Sequence, residues 1–243
     1  MSEEVAMRFR DREDAGRHLA DLLRRADLGS ADVLVLALPR GGVPVASQVA
    51  QALCAPLDVL VVRKLGVPFQ PELAMGAIGE EGVRVENAEV LRLAGLDAAD
   101  LDAAEARERP ELERRARQYR DGRARLPLEG RCVVIVDDGI ATGSTVRAAC
   151  VVARGQGAAR LVVAVPVASR LATRELEDVC DDLFSLAVPE PFYAVGEWYR
   201  DFSQTTDDEV ADTLRRQPWR DDDVPAEPGA IPRRRRAGED DSG

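Results

Sequence analysis

The sequence predicts an α/β protein built on a parallel sheet. Three observations carry that expectation. Short runs of branched apolar residues recur along the chain, at 33–38, 57–62, 132–136, 161–167 and 182–187. The early runs end in compact turns, Pro39-Arg40-Gly41-Gly42 and Arg63-Lys64-Leu65-Gly66. Segments with helical spacing, such as 43–53, 145–154 and 172–180, stand between the runs. Buried strand, glycine turn and helix in alternation are the pattern of a parallel sheet covered by helices.

Each element has its own signal. Residues 11–26 place Ala15, Leu19, Leu22, Leu23 and Ala26 at helical spacing, with Asp11 or Asp14 as the cap. Residues 66–95 hold five of the 19 glycines and read as a loop with a β-excursion. Residues 97–123 are highly charged, with Glu111/Arg115 and Glu113/Arg117 at i,i+4. Pro110 suits the start of a second helix there, so a solvated helical pair is expected. After Val188 five of the ten aromatics crowd together: Phe192, Tyr193, Trp198, Tyr199 and Phe202. A last helix over Asp207–Arg216 closes the domain. Residues 217–243, with four prolines, acidic clusters and four arginines at 233–236, read as a disordered tail. The expected organisation is one domain over 1–216, with a loop and helical insertion at 66–123 and a hood at 188–206.

Composition narrows the function. The 243 residues carry 44 acids against 33 bases, a net charge of −11, which argues against a general nucleic-acid binder. No apolar run approaches the ~20 residues of a membrane span, and the charged start MSEEVAMRFRDRED has no apolar signal core. A cytoplasmic protein is the expectation. The single histidine, His18, rules out a His-rich metal site. The four cysteines, Cys54, Cys132, Cys150 and Cys180, form no C-x-x-C pair and read as buried, reduced thiols.

The strongest signal is VVIVDDGIATGST at 133–145. A buried strand delivers Asp137 and Asp138 to its carboxyl end, the edge where open α/β sheets bind ligands. The turn Gly139-Ile140-Ala141-Thr142-Gly143-Ser144-Thr145 then leads into a helix. Backbone N–H groups at such a helix start make an anion site, and three hydroxyls can add hydrogen bonds to phosphate oxygens. Carboxylates repel phosphate but accept hydrogen bonds from vicinal sugar hydroxyls. The segment therefore reads as a sugar-phosphate site. It is not a P-loop, because no lysine follows Gly143, and no G-x-G-x-x-G follows a strand.

This segment closely resembles the thirteen-residue phosphoribosyl-pyrophosphate motif of the type I phosphoribosyltransferases, and the likeness extends over roughly residues 5–215. The resemblance implies their α/β fold, a parallel sheet with helices on both faces and a small hood. It implies that Asp137 and Asp138 hold the ribose hydroxyls and that the loop Gly139, Ala141, Thr142, Gly143, Ser144 and Thr145 wraps the 5-phosphate. It implies that Arg40, Gly41 and Gly42 bind pyrophosphate, in a turn that in this family often holds a strained or cis peptide. Lys64, the only lysine among 33 bases, resembles a basic residue at a strand end in some purine and xanthine members; its survival is otherwise drift. Arg63 either assists it or points to the other face of its strand.

The implied reaction moves ribose 5-phosphate from phosphoribosyl pyrophosphate to a nitrogenous base, as in nucleotide metabolism and base salvage. Arg40, Lys64 and a Mg²⁺ carried by the substrate neutralise the leaving group, with Asp138 among the catalytic residues. No resident metal, nucleic acid or membrane partner is implied, and a homodimer is compatible. Members acting on 6-oxopurines place an acid where this chain has Ala141, so adenine-like or pyrimidine acceptors fit better. Phe192, Trp198 and Tyr199 either stack the base or fill a satellite core. The alternative function is a non-catalytic regulator that binds phosphoribosyl pyrophosphate or a nucleotide.

Overall fold

A computed structural model describes residues 8–29 and 32–217. The N-terminal residues 1–7 and all of the expected tail at 217–243 except Gln217 lie outside the described residues.

The sequence runs become five parallel strands: β1 (Val33–Ala37), β2 (Leu57–Val59), β6 (Cys132–Val136), β7 (Arg160–Val167) and β8 (Asp182–Ala187), in the order β2-β1-β6-β7-β8. The register sets Val35 beside Val134 and Val134 beside Val162. Alternate residues feed two cores, so these strands are apolar on both faces. Val35, Ala37, Val134, Val136, Val162 and Ala164 face helices α1 (Arg12–Leu23) and α2 (Gly42–Leu53). Leu34, Leu36, Val133, Ile135, Leu161 and Val163 face α5 (Ser144–Gly155) and α6 (Arg170–Leu176). Asp11 caps α1 by accepting from the amide of Asp14. This is the α/β fold of the sequence reading, with helices on both faces.

Between β2 and β6 lies a second, antiparallel sheet: β3 (Arg63–Val67), β4 (Gln70–Ile78) and β5 (Arg84–Glu86). The expected strand at 57–62 therefore ends at Val59, and Lys64 lies within β3 rather than in a turn after a strand. The loop with a β-excursion expected at 66–95 is mostly this sheet plus α3 (Ala88–Ala94), so the excursion is present but larger than expected. Its extent is hard to read because register shifts on both sides of Gly66 leave residues of β4 without a partner, and β4 buries Met75, Ala77 and Ile78 without alternation.

The expected helical pair at 97–123 is one helix, α4 (Ala98–Arg120), which runs through Pro110. A capping box of Asp97 and Asp100 starts it, and pairs such as Arg115–Glu111 support it past the proline. Arg120 at its end anchors a buried cluster. Its Nε donates to Asp58 Oδ1 (2.9 Å), and its two terminal nitrogens donate to Glu80 and to the Val59 carbonyl. The final helix, α7 (Asp207–Arg216), packs on α2 and α4. Among the described residues no helix is long and apolar enough to cross a membrane.

Candidate active site at the β1–β6 edge

The strand order reverses between β1 and β6, because the chain passes from β1 outward to β2 and returns on β1's other side as β6. In open α/β sheets the crevice at that reversal, beyond the carboxyl ends, is the ligand site. Two turns meet there. After β1 come Arg40, Gly41 and Gly42, with a cis peptide between Pro39 and Arg40. After β6 come Asp137 and Asp138. A Cβ on Gly41 would collide with Asp138 Oδ2, and one on Gly42 would lie 2.6 Å from the Val136 carbonyl oxygen. The paired glycines therefore let the first turn lie directly against the carboxylates.

The two acids have different surroundings. Among the described residues, Asp137 accepts only the amide of Asp138, at 2.9 Å from Oδ1. Burial and the charge of Asp138 drive its carboxyl well above the usual carboxylate range. Asp138 is also raised by burial, but an ion pair with Arg12 opposes the rise. Its main-chain oxygen accepts from the Tyr199 hydroxyl at 2.5 Å.

The following loop is tied at its middle and open at its end. The Ile140 amide donates to the Val167 carbonyl, and the Ser169 hydroxyl donates to the Ala141 carbonyl at 2.5 Å. Gly143, at φ +80°, is the N-cap of α5, and no side chain caps that helix. Its first amides and positive end thus face the loop, beside Thr142 Oγ1 and Ser144 Oγ, which lie 3.3 Å apart. Ala141, Thr142 and Thr145 are exposed.

The basic candidates divide. Arg40, on the turn itself, sits 3.6 Å from Asp207, whose carboxylate also accepts from the Tyr119 hydroxyl. Arg63 takes the second of its two expected orientations: it turns to α4 and pairs with Glu108. Lys64 lies on the opposite face of β3, directly across from Ala77. Ala77 lines a cavity of about 440 Å³ whose other wall includes Thr142, Gly143, Ser144 and Arg147. Lys64 is thus on the side of the small sheet that faces the loop.

The aromatic group also divides. Tyr199 is 5% exposed and packs on Phe9 and Phe202, with ring centroids 5.6 Å and 5.0 Å away. It fills a satellite core and so is not a stacking surface for a ligand. Phe192 and Trp198 are half-buried, and Tyr193 is exposed. Of the cysteines, Cys132 and Cys150 are buried and Cys180 is half-buried, but Cys54 is exposed at the end of α2. All four are free thiols. His18 lies near Phe9, on α1.

Sequence reading missed Arg12, Tyr199 as a support for Asp138, Ser169 and Asp207. Arg12 could not stand out among so many arginines, and the others reach the site only through long-range contacts.

A family model described as phosphoribosyl transferase domain matches residues 8–198. Two Mycobacterium tuberculosis proteins, Rv0571c of strain H37Rv and MT0597 of strain CDC 1551, carry names that assign them provisionally to the phosphoribosyl transferases. Each is 53% identical over 240 residues, covering 92% of this chain and 54% of its own length. The chain thus spans about half the length of these curated relatives. The crystal structure of TT1426 from Thermus thermophilus is 47% identical, with a TM-score of 0.80, and the match covers 86% of this chain and 98% of that one.

Proposed function

The chain belongs to the phosphoribosyl transferase family, and on that premise we propose that it moves ribose 5-phosphate from phosphoribosyl pyrophosphate to a nitrogenous base, releasing pyrophosphate. One observation carries the reading: a carboxylate pair, an uncapped hydroxyl-bearing helix start and an arginine-glycine-glycine turn meet at one sheet edge. Asp137 and Asp138 take the ribose hydroxyls. Thr142, Ser144, Thr145 and the α5 amides take the 5-phosphate, with Gly139, Ala141 and Gly143 shaping the loop. Arg40, Gly41 and Gly42 take the pyrophosphate.

As the bond from C1 to the leaving oxygen breaks, positive charge grows on the ribose and negative charge on the pyrophosphate. Holding the sugar at both ends positions C1 for the incoming nitrogen. Arg40 exchanges its long contact with Asp207 for the leaving group, and Lys64 approaches from the small sheet. The Mg²⁺ enters with the pyrophosphate as part of the substrate. Ala141 supplies no carboxylate beside the acceptor, which favours adenine-like or pyrimidine bases, and Phe192 and Trp198 are the rings left to stack one. The domain is taken to run to residue 216, because α7 packs on α2 and α4 beyond the matched residues. The reaction is placed in the cytoplasm.

The test offers phosphoribosyl pyrophosphate, Mg²⁺ and a panel of bases to the purified chain and reads pyrophosphate release. Release with an adenine-like or pyrimidine base is expected. Efficient release with guanine or hypoxanthine overturns the acceptor reading. Tight binding without release for any base favours the regulator instead, and no binding at all overturns the site.

A further inference from the structure

Asp138 is held from three directions. Arg12, the first residue of α1, donates from Nε to Asp138 Oδ2 at 2.8 Å. The same oxygen lies against Gly41, where a side chain would displace it. Tyr199 holds the main-chain oxygen. Arg12 is itself immobilised: one terminal nitrogen donates to the Ser203 carbonyl at 2.6 Å, and its guanidinium lies 4.0 Å above the Phe202 ring. Its side chain is only 11% exposed. Among the described residues no hydrogen bond claims the other oxygen of Asp138, Oδ1.

From this geometry, and resting on the sugar-phosphate reading above, we infer that Arg12 is a positioning residue: it commits one oxygen of Asp138 and presents the other, as part of a charged carboxylate, to a sugar hydroxyl. The adjacent acids are thereby given unequal parts. Asp138 is the fixed, ionised acceptor, and among the described residues Asp137 has no ion pair of its own and feels Arg12 only at a distance. A planar guanidinium suits the task because it can bond the carboxylate edge-on, stack on a ring and reach a carbonyl at once. Among the described residues, the charged or titratable groups around Asp138 are Asp137 just after β6, Arg12 on α1 and the Tyr199 phenol; Asp201 interacts with Arg12, and Arg40 pairs with Asp207. Without Arg12, burial and the neighbouring Asp137 are opposed only by the backbone amide of Asp138 itself, so its titration moves to higher pH.

The test compares the parent with Arg12→Gln and Arg12→Lys by two measurements. Carbon-13 NMR of the aspartate carboxyls follows the titration of Asp138 in the ligand-free chain, with Asp138→Asn for assignment. Calorimetry follows ribose 5-phosphate affinity against pH. Arg12→Gln is expected to move the Asp138 titration upward, to weaken ribose 5-phosphate about tenfold at neutral pH, and to shift the acid limb of its affinity the same way. Arg12→Lys keeps the cation and restores the titration, while the lost ring and carbonyl contacts leave affinity below that of the parent. An unmoved titration in Arg12→Gln overturns the inference whatever the ligand does. A moved titration with unchanged affinity and an unchanged acid limb also overturns it, because the charge would then not serve the sugar. If the parent binds no sugar phosphate while the titration still moves, the functional reading fails and the hold on Asp138 stands.

Discussion

Asp137 is ionised only at a cost, because it is buried beside a second carboxylate and, among the described residues, has no ion pair of its own. Its folded carboxyl is raised above the unfolded value, so the native state binds the proton more tightly. The contribution of Asp137 to stability is therefore greatest at low pH and declines as pH rises toward neutrality. Asp137→Asn removes the ionisable group and keeps the shape. It should raise the melting temperature of the ligand-free chain at pH 7, by about 2–4 °C for each ~1 kcal/mol regained. The gain should shrink toward pH 4, where the parent's carboxyl is already neutral. The same variant should lose sugar-phosphate affinity, since the amide accepts fewer hydrogen bonds and donates where a hydroxyl also donates. Thermal scans at several pH values and calorimetry check both halves. A variant that is less stable at pH 7 would contradict the electrostatic account.

At the scale of elements, α4 and α5 show opposite solutions to helix physics. The start of α5 is left without a side-chain cap, a loss of stability that suits an anion. In α4 a capping box and ion pairs carry the helix through a proline that removes one backbone bond and crowds the turn before it. Pro110 is exposed, so nothing but the helix depends on it. Pro110→Ala should stabilise the chain by about 2 kcal/mol, the interior proline penalty of ~3 less the unfolded-state entropy that proline removes. Denaturant titration measures this, and a loss of stability would mean that the chain needs a break there. The proline led the sequence reading to two helices, because a local rule cannot see the tertiary support on either side. The extent of the β3–β4 pair, read only as a β-excursion in a loop, escaped for a related reason: the register shifts opposite Gly66 break the alternation of β4 by which a strand is read.

At the scale of the molecule, the two sheets are joined by charge as well as by apolar packing. Arg120 at the end of α4 binds Asp58 of β2 and Glu80, two residues beyond β4, and all three are buried. Asp58 also accepts the Val59 and Leu126 amides. Arg120→Met would take from two buried carboxylates the cation that is hydrogen-bonded to both, leaving only the more distant charge of Arg125, at a cost of about 3–5 kcal/mol. The melting temperature at pH 7 should fall by on the order of 10 °C. Burial already raises Asp58, and without the opposing charge of Arg120 it would bind its proton more tightly still in the folded state. The deficit should therefore be largest at neutral pH and narrow on acidification. A deficit independent of pH would mean that packing of the long side chain, rather than charge, holds the sheets together.

Features that follow from local pattern were legible before the chain was folded. Apolar runs mark the five parallel strands nearly in place, and the acid pair, the glycine turns and the hydroxyl loop stand where strands end. Burial on both faces of a strand leaves a continuous local trace, and a turn needs its special residues in a row. Which charges and rings meet was settled only by packing. Arg12 and Asp138 are 126 positions apart, and nothing near Arg12 distinguishes it from the chain's other arginines. Whether Arg63 or Lys64 faces the loop, and whether Tyr199 stacks on a ligand or packs against Phe9, depends on register and packing between distant segments. The unequal surroundings of two adjacent aspartates arise in the same way. A carboxylate's character is set by its neighbours in space, and those neighbours are chosen only when the chain folds.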